Sequence, residues 1–210
     1  MRTRIKICGV RDAETARAAA EAGADAVGFV FVPSSPRYIA PDDAVGLMYA
    51  LPPLVTAVGV VADLSVDEFS DVEEACPTQL AQLHGDEGLK TVQQCGPGVI
   101  KAVRAGPKLE ADLRKWANVD EVDAVLIDGP KAGSGEPVDW AGVRRALDAA
   151  GFGKPVFLAG GLTPENVGEA IRAVRPYAVD VSSGVESERG VKDHARIRAF
   201  CAAVREADAG

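Results

Sequence analysis

Two side chains able to transfer protons each follow a short apolar segment of the chain. Cys8 lies in Lys6-Ile7-Cys8-Gly9, and Asp128 lies in Leu126-Ile127-Asp128-Gly129. A buried cysteine is usually an inert core residue, but a nearby positive charge favours the thiolate, which can act as a base. A carboxyl group after a strand either caps the next turn or serves as a general acid whose pKa is raised by partial burial. Together the two residues suggest general acid–base catalysis.

A guanidinium and an imidazole occupy comparable positions. Arg37 follows Pro33-Ser34-Ser35-Pro36, where two prolines stiffen the loop. From such a loop Arg37 could bind a carboxylate through two parallel hydrogen bonds, although arginines are also common on solvated surfaces. His84, in Gln82-Leu83-His84-Gly85, is either a packed strand-end histidine or a substrate contact. The local sequence leaves both interpretations open.

Two glycine-rich turns predict a phosphate site. Gly160 and Gly161 follow one apolar segment, and Ser183 and Gly184 follow the next. Glycines expose backbone N–H groups, and a short helix beginning near Ser183 would direct its positive end toward a dianion. Tight turns between strands and helices would also explain each glycine. Two such turns in succession nevertheless favour phosphate binding.

These residues need a scaffold that brings them together, and the apolar segments supply it. Eight segments alternate with amphipathic stretches: Arg4–Cys8, Ala26–Phe31, Thr56–Val61, Leu80–His84, Val99–Val103, Ala124–Asp128, Val156–Ala159 and Ala178–Ser182. Most are continuously apolar, which is typical of parallel strands covered on both faces. Eight such units predict one compact (β/α)8 TIM barrel over residues 1–210, with an open doubly wound sheet as the alternative. The C-terminal strand ends of that barrel would form a single rim that carries all the candidate residues.

Closure of the barrel also predicts a partner for Lys6. Lys6 precedes Cys8 by two residues, so both side chains share one face of the first strand. A lysine that points into the barrel needs a partner, and Asp180 on the neighbouring eighth strand is the obvious one. We therefore predict a buried Lys6–Asp180 pair.

Several helix boundaries can be read from capping residues. Asp12 and Gly23 mark the start and end of the first helix, and Ser65-Val66-Asp67-Glu68 is a capping box. Thr163-Pro164 predicts a helix start at that point. The last helix is expected from about Asp193, with an apolar stripe that contains Ile197, Phe200, Cys201 and Val204.

Composition limits the partners. The net charge of −8 argues against nucleic acid or an anionic membrane surface, and no apolar run approaches the roughly 20 residues of a membrane span. Four scattered cysteines and two histidines do not suggest a metal site, and reduced thiols indicate a cytoplasmic protein. The helix-borne Cys76, Cys95 and Cys201 are interpreted as structural. Oligomeric state is left open between monomer and homodimer.

Taken together, the motifs resemble those of phosphoribosylanthranilate isomerases. The resemblance is carried by Lys6-Ile7-Cys8-Gly9, Ser35-Pro36-Arg37-Tyr38-Ile39, Gln82-Leu83-His84-Gly85-Asp86-Glu87, Val179-Asp180-Val181-Ser182-Ser183-Gly184-Val185-Glu186 and Gly190-Val191-Lys192-Asp193. It spans nearly the whole chain, and the motifs are specific as a set. Other phosphate-binding barrels share the glycine turns but not this combination.

The resemblance implies an Amadori rearrangement in tryptophan biosynthesis that converts N-(5-phosphoribosyl)anthranilate to 1-(2-carboxyphenylamino)-1-deoxyribulose 5-phosphate. By that resemblance Asp128 is the general acid and Cys8 the general base, and neither a metal nor a cofactor is needed. Arg37 is expected to bind the anthranilate carboxylate, and His84 the substrate. Gly160, Gly161, Ser183 and Gly184 are expected to hold the phosphate.

One segment departs from the family. Such isomerases usually have Asp-Thr followed by a longer loop with Gly-Gly-Thr-Gly, whereas this chain has Asp128-Gly129 and a shorter loop with Gly133-Ser134-Gly135 before Asp139-Trp140. The sequence leaves two alternative functions. A phosphosugar isomerase of the histidine-biosynthesis type would be expected to carry an aspartate pair, and an inactive phosphate-binding barrel is suggested only by the shortened loop.

Overall fold

The computed structural model describes residues 2–129 and 138–210 and shows a closed barrel of eight parallel strands. The strands are β1 (Arg4–Cys8), β2 (Ala26–Val30), β3 (Thr56–Val61), β4 (Leu80–Leu83), β5 (Val99–Arg104), β6 (Val122–Asp128), β7 (Val156–Leu158) and β8 (Ala178–Val181). Strand β1 pairs with both β2 and β8, which closes the sheet. The predicted TIM barrel is confirmed, each strand lies within two residues of its expected bounds, and the open-sheet alternative is excluded.

Helices connect successive strands and cover the outside of the barrel. They are α1 (Ala13–Ala22), α2 (Pro41–Tyr49), α3 (Val66–Ala75), α4 (Leu89–Cys95), α5 (Leu109–Ala117), α6 (Trp140–Ala150), α7 (Val167–Val174) and α8 (His194–Ala209). Between β8 and α8 the chain forms a 3-10 helix, Ser183–Val185, and a small hairpin of β9 (Glu186–Glu188) and β10 (Val191–Lys192). The Gly133-Ser134-Gly135 segment of the divergent loop lies outside the described residues.

Most of the predicted helix boundaries are confirmed. Asp12 caps α1, Gly23 ends it in the left-handed conformation, and the capping box of Ser65 and Glu68 opens α3. The start predicted at Thr163-Pro164 is wrong, because α7 begins only at Val167. The reason is local: the Asn166 side chain accepts a hydrogen bond from Thr163 N and donates one to a backbone carbonyl, and this holds the preceding residues in a turn.

The apolar core has an outer layer between strands and helices and an inner layer that fills the barrel. The inner layer consists of one aromatic ring, that of Phe157, and of small or branched aliphatic side chains: Ala26, Val58, Ile100, Ala102, Ala124, Leu126, Ala159 and Ala178. Nearer the C-terminal rim, Cys8 packs against Val30 and Val60. The thiol is therefore held in an apolar layer directly beneath the rim.

The barrel closes over a buried ion pair. Lys6 on β1 lies in register with Asp180 on β8, and its Nζ donates to Asp180 Oδ1 over 2.8 Å. The lysine side chain is 0% exposed and the aspartate side chain 8%. This confirms the predicted pair. An ammonium group removed so completely from water depends on its carboxylate partner to remain charged.

The pair predicts a large stability effect from one substitution. Asp180→Asn keeps the shape of the side chain but leaves Lys6 as a buried charge without a counter-ion. We expect the free energy of unfolding to fall by about 3–5 kcal/mol, measured by urea denaturation.

The matched control is Glu110→Gln, which removes the partner of Arg114 from an exposed pair on α5. Its effect should stay within about 1 kcal/mol. An equal decrease in the free energy of unfolding in the two variants would contradict the structural importance of the buried pair.

Candidate active site

The C-terminal strand ends bring together the candidate residues from distant parts of the sequence. Cys8 is the last residue of β1 and Asp128 the last of β6, while His84 directly follows β4 and Arg37 lies in the loop after β2. The glycine turns follow β7 and β8. Because all strands are parallel, these positions belong to one rim of the barrel. The structure therefore brings the candidate residues predicted from the sequence together at one rim.

Cys8 lies beside a positive charge but is deeply buried. An added Cβ at Gly28, the register partner of Cys8, would lie 3.0 Å from Cys8 Sγ and 3.1 Å from Lys6 Nζ, so the thiol and the ammonium group converge on one point. Burial raises the pKa of Cys8, Lys6 and Lys192 act to lower it, and the net result is a pKa above the ordinary value. Cys8 is thus mainly a thiol at neutral pH, with two cations placed to stabilise its thiolate.

Asp128 interacts with His84, which in turn is held by Gln82. The amide nitrogen of Gln82 is 2.6 Å from His84 Nδ1, and His84 Nε2 is 3.3 Å from Asp128 Oδ2. With the amide donating to Nδ1, the ring carries its proton on Nε2 and directs it at the carboxylate. Gly129 N donates to the other oxygen, Asp128 Oδ1, over 2.8 Å.

The expectation that burial raises the pKa of Asp128 is wrong in its net direction. Burial does act to raise the pKa, and it is the largest single influence. Hydrogen bonds from His84 and from Gly129 N, together with electrostatic interactions with His84 and Arg104, outweigh it and lower the pKa below the ordinary value. In the ligand-free protein Asp128 is therefore a carboxylate at neutral pH.

Arg37 is held by a carboxylate of the chain itself. Its Nε and Nη2 donate to Glu186 Oε1 and Oε2 over 2.7 and 2.9 Å, a bidentate geometry. Lys192 Nζ also donates to Glu186 Oε1, over 2.8 Å. Arg37 is about one-fifth exposed, so it is neither a solvated surface residue nor fully enclosed. Its orientation is set by Glu186, a residue whose role the sequence did not reveal.

The two glycine turns lie in close contact, with no room for side chains. A Cβ on Gly184 would lie 1.9 Å from Leu162 O, and a Cβ on Gly160 would lie 2.4 Å from Gly129 N. Gly160 and Gly161 both have positive φ, 83° and 68°. The expected short helix begins at Ser183. Glycine is therefore required for the backbones after β6, β7 and β8 to approach one another.

A second buried pair positions the backbone around His84. Lys101 Nζ donates to Glu87 Oε2 over 2.8 Å and to the carbonyl oxygen of Gly85 over 2.8 Å. Glu87 Oε1 in turn accepts from the backbone N–H groups of Asp63 and Gly85. The loop after β3 and the loop carrying His84 are thus joined through one carboxylate.

Sequence reasoning missed several residues that support the site. Glu186 and Lys192 lie inside motifs that carry the family resemblance, but nothing in their spacing shows that they meet Arg37 from another loop. The sequence does contain a signal for Gln82. It precedes His84 by two residues, and residues at that spacing along a strand lie on the same face.

A cavity of about 310 Å³ lies at the opposite end of the barrel, among the N-terminal strand ends and residues such as Arg4, Asp25 and Tyr177. Cys8, Asp128 and the other rim residues do not line it, so this cavity is separate from the candidate site. Within residues 2–129 and 138–210, no three His, Cys, Asp or Glu side chains cluster as a metal site would require. Over the same ranges, no helix is long and apolar enough to cross a membrane.

The chain resembles known proteins over almost its full length. Residues 5–203 match the family model described as N-(5'phosphoribosyl)anthranilate (PRA) isomerase. An N-(5'-phosphoribosyl)anthranilate isomerase of Pseudomonas fluorescens is 46% identical over 205 residues, which cover 96% of this chain and 98% of the relative. The crystal structure of the phosphoribosyl anthranilate isomerase from Thermus thermophilus superposes with a TM-score of 0.85 at 39% identity, covering 97% of this chain and 99% of that one.

Two further structures add information about relatives. One, with a TM-score of 0.84 and 39% identity over 97% of this chain and 99% of that one, is a phosphoribosyl anthranilate isomerase in complex with reduced 1-(o-carboxyphenylamino)-1-deoxyribulose 5-phosphate. Another, with a TM-score of 0.83 and 38% identity over the same shares, shows monomers generated from the dimeric enzyme of Thermotoga maritima. Because the family match includes every strand that contributes to the rim, the chain belongs to the N-(5'-phosphoribosyl)anthranilate isomerase family.

Proposed function

We infer that the chain isomerises N-(5'-phosphoribosyl)anthranilate to 1-(2-carboxyphenylamino)-1-deoxyribulose 5-phosphate in tryptophan biosynthesis. Family membership over residues 5–203 supports the reaction. The observation that carries its assignment to this rim is the burial of the Cys8 thiol beside Lys6 Nζ, on the same rim as Asp128. The rearrangement moves protons within one molecule, and an acid and a base acting on opposite parts of the substrate are sufficient for it.

We assign the proton transfers to two residues. Asp128 donates a proton to the furanose ring oxygen, the bond from that oxygen to C1' breaks, and the ring opens to a Schiff base. Cys8, as thiolate, then removes the proton from C2', and the electrons of that bond form an enolamine. Tautomerisation of the enolamine gives the ketone. Lys6 lies where it stabilises the thiolate, which fits the role of Cys8 as the base.

The remaining rim residues are proposed to bind the substrate. Arg37 pairs with the anthranilate carboxylate, and His84 contacts the substrate next to the acid. Gly160, Gly161, Ser183 and Gly184 bind the phosphate through backbone N–H groups, which the tightly packed turns after β7 and β8 leave without side-chain cover.

The protonation states of the free protein are the reverse of those the reaction uses. A raised pKa keeps Cys8 a thiol, and a lowered pKa keeps Asp128 a carboxylate. The reactive form has the same number of protons, because one proton has moved from sulfur to oxygen. Its population is therefore nearly constant with pH between the two pKa values. When the substrate displaces water from Asp128, the pKa of Asp128 rises. This favours the reactive form, in which Asp128 is protonated and Cys8 is a thiolate.

We further propose that residues 1–210 form one domain, that the protein is cytoplasmic, and that it is a monomer or homodimer without nucleic-acid or membrane partners. The barrel closure between β1 and β8 supports a single folding unit. The net charge of −8 supports the absence of nucleic-acid binding.

The activity itself is tested by the loss of phosphoribosylanthranilate fluorescence after adding micromolar folded protein. We expect accelerated decay with formation of the ribulose product. An unchanged decay rate would contradict the isomerase function.

The two catalytic assignments are tested by Cys8→Ser and Asp128→Asn. Each removes a proton-transfer group but keeps similar size, so kcat should fall by at least roughly 10²-fold. Near-normal turnover in either variant would remove that residue from the mechanism. The substitution Glu110→Gln on the outer surface serves as the control and should keep full turnover.

His84→Ala tests the origin of the lowered pKa of Asp128. Since the interaction with His84 lowers this pKa and burial raises it, the substitution should raise the pKa of Asp128 relative to the unsubstituted protein. A ¹³C NMR titration of the carboxyl groups measures it, and Asp128→Asn identifies the resonance.

The exposed carboxyl of Glu68, whose pKa is lowered by Ser65, should titrate identically in both proteins and provides an internal control. An Asp128 titration that does not move when His84 is removed would show that another group lowers its pKa.

A further inference from the structure

We propose that Glu186 is a positioning residue for carboxylate recognition. It binds one edge of the Arg37 guanidinium, so that the other edge faces the anthranilate carboxylate. Lys192 supplies a positive charge that compensates for the negative charge of Glu186. The inference rests on the proposed role of Arg37 and extends it to residues of a different loop.

The first support is the completeness of the contacts around Glu186. Its side chain is only 5% exposed, and its two oxygens accept hydrogen bonds from Arg37 Nε, Arg37 Nη2, Lys192 Nζ and Gly190 N, over 2.7, 2.9, 2.8 and 3.1 Å. A carboxylate has about four lone-pair sites, so Glu186 has no capacity left for a ligand. Glu186 therefore contacts groups of the protein, the Arg37 guanidinium among them, and not the substrate.

The second support is the set of Arg37 N–H donors that Glu186 does not use. A guanidinium has five N–H groups, and Glu186 uses the one on Nε and one on Nη2. Within residues 2–129 and 138–210, Nη1 donates to no other group. The Nη1–Nη2 edge therefore keeps a complete fork of parallel donors, the geometry that binds a carboxylate bidentately.

Charge is the third support. An Arg37–Glu186 pair alone would be neutral and would attract a substrate anion weakly. Lys192, whose side chain is 3% exposed, joins the same carboxylate, so the three residues together carry a single net positive charge. That charge matches one carboxylate. Burial opposes ionisation of Glu186, but the hydrogen bonds from Arg37 and Lys192 lower its pKa to about 2, so the arrangement persists at physiological pH.

The cluster also joins three rim segments. Arg37 belongs to the loop after β2, Glu186 and Lys192 belong to the β9–β10 hairpin, and Lys192 Nζ donates to both Ser182 O and Ser182 Oγ at the end of β8. Ser182 Oγ in turn donates to the carbonyl oxygen of Cys8 over 3.0 Å. The carboxylate-binding arginine is thus held in a defined position relative to the proposed base.

The test compares two inhibitors: reduced 1-(2-carboxyphenylamino)-1-deoxyribulose 5-phosphate and its phenylamino counterpart without the carboxylate. In Glu186→Gln the guanidinium loses its anchor, so the carboxylated inhibitor should bind on the order of 10-fold more weakly. The counterpart should bind as in the unsubstituted protein, which also shows that the variant is folded. KM should rise with the first inhibitor constant, while kcat stays within about 3-fold.

A double substitution shows whether Glu186 acts by positioning Arg37 or contributes to inhibitor binding independently of Arg37. If Glu186 acts through Arg37, then Arg37→Ala and Arg37→Ala/Glu186→Gln should discriminate equally poorly between the two inhibitors. Glu186→Asp should retain part of the discrimination, and Glu110→Gln all of it.

Three results would overturn the inference. Glu186→Gln could still favour the carboxylated inhibitor as strongly as the unsubstituted protein does, or it could bind both inhibitors more weakly by the same factor. In the double variant, the affinity losses of the two single substitutions could multiply. Retained discrimination in Arg37→Ala would overturn it as well, by removing the residue on which Glu186 acts. Turnover by the unsubstituted protein tests the isomerase function separately, so a failure of that function and a failure of the inference give different results.

Discussion

The pairing of β1 with β8 is the constraint on which the site depends. It closes the barrel, and it places Lys6 in register with Asp180 as a buried pair. Cys8, two residues further along β1, shares the face of Lys6 and becomes a buried thiol beside an ammonium group. Backbone hydrogen bonding at the seam thus determines both the closure of the fold and the electrostatic environment of the proposed base.

Burial raises the pKa of both proposed proton-transfer residues, but the net shifts have opposite directions. At Cys8 it prevails over the neighbouring cations, and the pKa is raised. At Asp128 it is overcome by hydrogen bonds from His84 and Gly129, and the pKa is lowered. The resting protein is therefore stable with a neutral thiol and an ionised carboxylate. The proposed mechanism needs only a redistribution of protons between these two groups, which requires no additional proton from solvent.

Ion pairs between separate segments of the chain organise the rest of the rim. Lys101 and Glu87 join the loops after β3 and β4 near His84, and Arg37, Glu186 and Lys192 join the loop after β2 to the hairpin after β8. Loops at the ends of a barrel have few apolar contacts to hold them. Charge pairs with several hydrogen bonds supply directional contacts instead, and they orient side chains of the proposed substrate site.

The sequence by itself determined the eight strands, the barrel and the identity of the candidate residues, because parallel strands buried on both faces are continuously apolar and their C-terminal ends share a rim. It also determined the Lys6–Asp180 pair, since spacing along β1 and closure against β8 leave few alternatives. It could not give the sign of the Asp128 pKa shift or the partner of Arg37. Those depend on His84, 44 residues from Asp128, and on Glu186, 149 residues from Arg37. Hydrogen bonds between residues so far apart in the chain exist only once the tertiary structure has brought their loops together, so only that structure decided them.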